Sequence, residues 1–252
     1  MNALEQKMIS MLKDLKDNYN VVGVKTEFET ETIQLQELQI LKDIATEAGL
    51  ELTLKISGCG SIRDICDAGT FGISSIVAPM IESVYAAKKF IKTVENIISY
   101  ETKLFLNIET TEGVKCIDEI LNADFSNKLS GIVFGRTDMT NCLNIEDDVN
   151  NETILKYAQK LAKSALKYKK ELIIGGGISA LSIPFFKQLP QNALTKFETR
   201  KIIFDAQKAL LNENIVQGIE KAIEFELMWI KDNKTNLKNN ERIAILESRL
   251  LK

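Results

Sequence analysis

Two stretches decide how this chain is predicted to fold: LFLNIETTEGV at residues 104–114 and SGIVFGRTDMT at residues 130–140. Each contains a short apolar run, LFLNI and then GIVF, of the length of a buried strand. Between the runs, apolar residues recur at helical spacing: Val114, Ile117, Ile120 and Leu121. The pattern therefore predicts a strand, a helix and a second strand parallel to the first.

An acidic residue follows each predicted strand. Glu109 comes directly after the first, and Asp138 lies just past a Gly-Arg turn after the second. The carboxyl ends of parallel strands meet at one edge of a sheet, so the two carboxylates are expected side by side. Such a pair needs protons, a cationic side chain or a metal to offset its repulsion, and oxygen-only ligation suits Mg²⁺ or Mn²⁺. A plainer interpretation stays open, in which Glu109 caps the next helix and Asp138 begins a turn.

The rest of the chain repeats this alternation of strand and helix. Continuous apolar runs of this kind indicate a parallel sheet buried on both faces. Polar residues follow nearly every strand, which favours a TIM-type (β/α)8 barrel, and no GxGxxG motif follows the first strand. Only seven strands are predicted, the other five lying at residues 21–24, 52–56, 75–78, 172–174 and 195–204.

Composition restricts the class of protein. The chain has 252 residues, a formal net charge of −3 and no histidine. This charge gives no reason to expect nucleic acid or a membrane surface as a partner, and no apolar run approaches the roughly 18 residues of a transmembrane helix. The first residues lack the apolar core of a signal peptide, so a cytoplasmic protein is expected. The cysteines lack CxxC spacing and are expected to be free thiols: Cys59, Cys66, Cys116 and Cys142.

The predicted domain organisation is one barrel followed by an appendage. Residues 1–231 are assigned to a single barrel domain, ending in a long helix over residues 206–231. Residues 232–252 are assigned to a linker and a last helix over residues 241–251. The apolar side of the long helix extends to Met228-Trp229-Ile230, beyond what one barrel face needs. These two helices are therefore predicted to contact another subunit in a homo-oligomer.

The sequence also resembles a known family. The motifs KISG, SIRDI, GISSIVAPMIES, LFLNIET and GIVFGRTDMT are similar to those of the HpcH/HpaI aldolase and citrate lyase β-subunit family of TIM barrels, over residues 21–139. The resemblance implies a divalent-metal enzyme that makes or breaks C–C bonds through a pyruvate or acyl-CoA enolate. It further implies that Glu109 and Asp138 bind the metal with waters and a 2-oxo acid. Backbone N–H groups at Gly135, Arg136 and Thr137 would meet the substrate carboxylate.

Three features depart from the family pattern. Lys55 stands where the aldolases carry an arginine, and it is predicted to act as the electrostatic partner of the enolate. The family's histidine base is missing, so Glu27, Glu29 or a water activated by the metal would have to take its place. The first barrel strand is also missing, with an N-terminal helix where it would stand. Either the barrel is incomplete or residues 195–204 contribute two strands.

Two further features are candidates for ligand binding. The turn Gly175-Gly176-Gly177 can present N–H groups to a phosphate or carboxylate, although three glycines also permit a tight turn. Lys25 can bind substrate or pair with a carboxylate. A Schiff-base mechanism through Lys25 or Lys55 is the less favoured alternative.

The sequence therefore predicts a class II lyase or aldolase that depends on Mg²⁺ or Mn²⁺. It would act on a 2-oxo acid and an aldehyde or acyl partner through a metal-stabilised enolate. Two alternatives remain. One is an altered barrel that only binds a carboxylated or phosphorylated ligand, and the other is a metal-dependent lyase or hydrolase of acyl thioesters.

Overall fold

The computed structural model describes residues 2–31, 33–145, 148–232 and 239–250, and its centre is a closed eight-stranded barrel. Each strand is hydrogen-bonded to the next, and β8 returns to β1. The α/β barrel predicted from the sequence is thus confirmed. The strands are β1 Val21–Glu27, β2 Glu51–Lys55, β3 Ser75–Ala78, β4 Lys103–Ile108, β5 Gly131–Gly135, β6 Glu171–Gly175, β7 Lys196–Glu198 and β8 Ile202–Asp205.

Helices surround the barrel and several begin at a polar cap. Side-chain oxygens of Ser83, Thr110 and Asn151 accept hydrogen bonds from backbone N–H groups in the first turn of α4, α5 and α7, respectively. A 3₁₀ helix follows α5 at Asp124–Lys128. The α-helices are α1 Ala3–Tyr19, α2 Leu35–Glu47, α3 Ile62–Thr70, α4 Val84–Ile97, α5 Thr111–Asn122, α6 Arg136–Cys142, α7 Glu152–Lys167, α8 Ser182–Phe186, α9 Ala206–Ala209, α10 Ile215–Asp232 and α11 Asn239–Leu250.

The barrel closes through a strand that runs against the others. β1 to β7 are mutually parallel, whereas β8 is antiparallel to both β7 and β1. Residues 195–204 therefore contribute two strands, which confirms the second of the two alternatives left open by the sequence and raises the count from seven to eight. The N-terminal helix α1, which precedes β1, packs outside the barrel against α2 and α10. β8 fills the remaining position in the sheet.

Two other predictions also change. The single helix predicted over residues 206–231 is divided into α9 and α10. The Gly135-Arg136 turn predicted after the fifth strand opens the short helix α6, whose first turn contains Asp138. Part of the predicted linker, residues 233–238, lies outside the described residues. Among the helices that are described, none is both long and apolar enough to cross a membrane.

Strand alternation divides the core into two layers. The larger layer lies between the strands and the helices and includes Leu106 and Phe134. The smaller one is a separate cluster of Val77, Phe105, Val133 and Ile173, one residue from each of four adjacent strands. Successive side chains of a strand point to opposite faces, so residues two positions beyond this cluster also face the barrel interior. These positions include Asn107, Gly135 and Gly175, at the carboxyl end of the barrel.

The hairpin that closes the barrel depends on a buried hydroxyl. Thr199 Oγ1 accepts a hydrogen bond from the Ile202 N–H at 3.1 Å, and the Thr199 N–H donates to Ile202 O at 2.9 Å. We predict that Thr199→Val lowers the free energy of unfolding by about 1–3 kcal/mol, because the shape is kept while a buried N–H loses its acceptor. Urea denaturation checks this.

The matched control is Thr93→Val on α4, whose hydroxyl donates to Lys89 O near the surface. This variant is expected to change the free energy of unfolding by less than about 0.5 kcal/mol. Equal effects at the two positions would contradict the role given to Thr199.

Candidate active site

The carboxyl ends of the parallel strands surround a cavity of about 580 Å³. Polar side chains enter it from β1, β2, β4 and β7, while glycines leave room at β5 and β6. The mouth of the barrel, as we call this region, is thus assembled from many parts of the sequence. Its inward-facing residues are Lys25, Glu27, Lys55, Asn107, Glu109, Gly135, Gly175 and Glu198.

Glu109 follows β4 and is only 1% exposed. Its Oε1 accepts a hydrogen bond from the Met80 N–H at 3.0 Å, and its Oε2 accepts one from Asn107 Nδ2 at 2.7 Å. Burial and the neighbouring Asp138 carboxylate raise the pKa of Glu109 to about 7, against the attraction of Lys55. The pair predicted from the sequence is therefore brought together, with Lys55 as the cation beside it.

The residues present fit a hard divalent cation. Asp138 is exposed to the cavity from the first turn of α6, and both acidic groups offer only oxygen. Asn107 Oδ1 is buried beside them without a hydrogen-bond partner among the described residues. Within those residues no group of three or more acidic, cysteine or histidine side chains is placed to hold a metal. Glu109 and Asp138 would hold such an ion, with its other positions left to water and substrate oxygens.

Lys55 lies between acidic residues at the end of β2. Its Nζ is 2.6 Å from Glu29 Oε2 and 3.6 Å from Glu109 Oε2. Burial alone lowers the pKa of Lys55, but Glu109, Glu29 and Glu27 outweigh it and the pKa is raised. Lys55 therefore stays positively charged, which suits an electrostatic role and disfavours a Schiff base, because that reaction needs a neutral amine.

Glu27 ends β1 and is 6% exposed. Thr30 Oγ1 donates a hydrogen bond to it, and Arg200 lies 3.8 Å away. Burial raises the pKa of Glu27, but Lys25, Arg200, Thr30 and Lys55 together lower it to about 2. A carboxylate held ionised in this way is a weak proton acceptor, which argues against the predicted role of Glu27 as the base.

Lys25 is paired with Glu198 across the mouth. Its Nζ forms an ion pair with Glu198 Oε1, while Glu198 Oε2 is buried without a hydrogen-bond partner among the described residues. Gly175 makes room for this carboxylate, since a Cβ there would lie 3.2 Å from Glu198 Oε1. Lys25 therefore reaches the cavity as half of an ion pair, the second of the two roles left open for it.

Gly135, Thr137 and Gly176 all line the cavity, as a substrate-binding role requires. A Cβ at Gly135 would lie 2.6 Å from Glu109 Oε2, and one at Gly176 would lie 2.7 Å from the Thr137 backbone nitrogen. Gly176 also has a φ of 84°, a conformation that favours glycine. The close approach of the Gly135 backbone to Glu109, and of the Gly176 backbone to Thr137, therefore depends on the absence of a side chain.

The Arg136 side chain lies behind the cavity and is fully buried. It donates hydrogen bonds to Gly175 O at 3.2 Å, Gly176 O at 2.7 Å, Asn150 Oδ1 at 2.7 Å and Ser182 Oγ at 3.2 Å. Its guanidinium also stacks 4.9 Å from the centre of the Phe185 ring. The Arg136 side chain thus supports the glycine turn after β6. The part of Arg136 that is left to contribute to substrate binding is its backbone N–H.

The last helix covers the mouth of its own barrel. Arg242, Ile245, Leu246 and Arg249 of α11 line the cavity, as does Trp229 of α10. Arg242 is bonded to Glu226 and lies 3.5 Å from Glu31, which also pairs with the buried Lys201. Local sequence patterns gave no sign of these residues, because the position of α11 depends on tertiary packing. The predicted subunit contact of α10 and α11 stays a prediction.

Comparisons with known proteins agree with this architecture. An HpcH/HpaI aldolase from Desulfitobacterium hafniense superposes with a TM-score of 0.59 at 14% identity, covering 74% of this chain and 88% of that one. The citrate synthase SbnG gives 0.60 at 16% identity, with 91% of each chain covered. Macrophomate synthase gives 0.56 at 16% identity, covering 86% and 90%. A comparison with curated proteins finds no significant match.

The fold and the acidic pair define a TIM-barrel protein with its candidate site at the carboxyl ends of the strands. The family model of HpcH/HpaI aldolase/citrate lyase matches residues 32–175, more than half of the chain. The chain belongs to this family, which confirms the resemblance noted in its motifs. Members of the family are generally lyases and aldolases.

The support given by Arg136 can be tested by a conservative change. We predict that Arg136→Lys lowers the free energy of unfolding by about 2–4 kcal/mol, because lysine cannot reproduce the fork of hydrogen bonds and leaves buried acceptors unpaired. Urea denaturation measures the change. The exposed Arg63 on α3 provides the control, and Arg63→Lys should be neutral. A neutral Arg136→Lys would contradict the assigned role.

The ionised Glu27 predicts a particular pH dependence of stability. Folding lowers the pKa of Glu27 from its ordinary 4.5 to about 2. The contribution of ionised Glu27 to the free energy of unfolding is therefore complete above pH 4.5 and is lost as the pH falls toward 2. The difference corresponds to roughly 3 kcal/mol at most. Urea unfolding between pH 5 and 2.5 should show a shallower decline for Glu27→Gln than for the unchanged protein. Parallel curves would contradict the prediction.

Proposed function

We propose that the protein is a divalent-metal-dependent lyase that makes or breaks a C–C bond adjacent to a 2-oxo acid. The observation that carries this proposal is the pairing of Glu109 and Asp138 at the mouth of a barrel of this family. Mg²⁺ or Mn²⁺ bound there would supply Lewis-acid stabilisation for the negative charge that develops on the 2-oxo oxygen. Pyruvate is the smallest substrate of this class.

The chain's own residues supply the rest of the electrostatic stabilisation of the enolate and of the substrate carboxylate. Lys55 Nζ lies 3.6 Å from Glu109 Oε2, so its positive charge is close to the place where enolate charge would develop. Lysine provides a point charge without the planar fork of arginine, so orientation of the carboxylate is left to other groups. Backbone N–H groups at Gly135 to Thr137, beside Gly176, are the candidates for that task.

Water exclusion is a second contribution of the protein. Trp229, Ile230 and Leu246 line the cavity opposite the barrel floor and are nearly fully buried. A site covered in this way strengthens the interaction of Lys55 with a developing negative charge. The cover comes from α10 and α11, which therefore belong to the proposed site as well as to the fold.

Two variants test the metal assignment. We predict that Glu109→Gln and Asp138→Asn each weaken Mn²⁺ binding by roughly 100-fold or more, beyond the usual effect of outer-shell changes, while circular dichroism stays unchanged. Calorimetric titration measures the affinity. The control is Glu82→Gln, since Glu82 also follows a strand but accepts a hydrogen bond from Thr110. Unchanged titrations in both variants would overturn the assignment.

The chemistry is tested by proton exchange at the methyl group of pyruvate in D₂O, followed by NMR with and without Mg²⁺ or Mn²⁺. We expect exchange that requires the metal and is abolished by Glu109→Gln, because exchange reports formation of the enolate. Metal-dependent binding of pyruvate without exchange would instead favour a barrel that binds its ligand without catalysis. The absence of histidine and the weak basicity of Glu27 are the observations that support this second candidate.

A further inference from the structure

The mouth contains one cation without a carboxylate partner among the described residues. Lys25 pairs with Glu198, Lys55 with Glu29, Lys201 with Glu31, and Arg242 with Glu226. Arg200 lies 3.8 Å from Glu27. Arg249 of α11 lines the same cavity and, within the described part of the chain, forms neither an ion pair nor a hydrogen bond.

The groups facing Arg249 leave its charge poorly compensated. Burial, together with repulsion from Arg200 and Arg242, lowers the pKa of Arg249, and Glu226 only partly opposes this. The Glu226 carboxylate is already occupied, because Arg242 Nε donates to it at 2.8 Å. A guanidinium that is partly buried without a partner costs free energy, and an anion entering the cavity would remove that cost.

A second set of donors lines the same cavity as Arg249. The glycine turn after β6 is held by Arg136, whose Nη2 donates to Gly176 O at 2.7 Å. The backbone N–H groups of Gly176 and Gly177 have no acceptor among the described residues, and both glycines line the cavity. Backbone N–H groups and a guanidinium together form a site suited to carboxylate or phosphate oxygens.

We infer that Arg249, carried to the mouth by α11, binds a carboxylate or phosphate group on the second substrate, the aldehyde or acyl partner. This inference deepens the proposed function and rests on it for the identity of the reaction. The acidic pair repels anions unless a metal is present, whereas the unpaired charge of Arg249 attracts them. The cavity therefore offers each sign of charge at different residues, and a partner with an anionic group would be oriented by that difference.

The subsite is tested by anion binding in the absence of metal, so that the result does not depend on catalysis. The full chain is titrated with succinate and, separately, with inorganic phosphate at low ionic strength, with calorimetry as the readout. We expect saturable binding of one anion per chain. Binding of succinate would assign the subsite to a carboxylate, and binding of phosphate would assign it to a phosphate ester.

Three variants test whether Arg249 is the residue that binds the anion. Arg249→Gln should weaken the binding by about tenfold to a hundredfold, the usual effect of losing a charge-assisted hydrogen bond. Arg249→Lys should restore part of it, since positive charge is kept. Arg63→Gln removes the same charge at an exposed position on α3 and should bind like the unchanged protein. Failure of both anions to bind, or equal binding by Arg249→Gln, would overturn the inference.

The same experiment distinguishes loss of anion binding by Arg249 from a change in the packing of α11. Trp229 is the single tryptophan of the chain and lines the cavity beneath α11, so its fluorescence reports whether that helix remains in place. Loss of binding with unchanged emission supports the subsite. If Arg249→Gln alters the emission, Arg249→Lys decides: restored binding supports the subsite, and no restoration overturns it. Asp138→Asn should still bind the anion, at least as tightly as the unchanged protein because one repelling carboxylate is removed, so a failed metal assignment and a failed subsite are distinguishable.

Discussion

Closure of the barrel by an antiparallel strand is the constraint on which the rest of this structure depends. A sheet of β1 to β7 alone would leave two edges with unpaired backbone groups, and β8 pairs with both. Because β8 follows β7 through a tight hairpin, the turn between them lies at the mouth and delivers Arg200 and Lys201 there. The irregular strand thus completes the fold and contributes charge to the candidate site.

Charge balance organises the mouth once the barrel is closed. Most buried charges are matched in pairs that join different segments: Lys25 with Glu198, and Lys201 with Glu31. Buried charges are tolerated only when they are paired, so these contacts fix the positions of the segments relative to one another. The exceptions are informative, because excess negative charge collects at Glu109 and Asp138 and unmatched positive charge at Arg249. The proposed binding roles are assigned to these residues because their charges are not fully neutralised by a partner.

The sequence predicted those parts of the structure that local patterns encode. Apolar runs and helical spacing identified the parallel strands, and the motifs around Glu109 and Asp138 identified the family and the acidic pair. For the hairpin, the sequence leaves the choice between one strand and two open, because Arg200 and Lys201 interrupt residues 195–204 without glycine or proline. Arginine is a residue type that often binds anionic ligands. Only the tertiary structure shows that the Arg136 side chain is fully buried. The position of α11 depends on contacts with distant residues, so no local pattern could place Arg249.

The pairing of β1 with β8 has a consequence for synthesis of the protein. These strands come from nearly opposite ends of the sequence, so a chain emerging from the ribosome exposes an unpaired β1 edge until β8 has been made. An exposed edge is a template for association with other chains. Pairing between such distant segments is also slow. The nascent protein is therefore most vulnerable to aggregation just before its final segments appear, and chaperone binding during that interval would protect it.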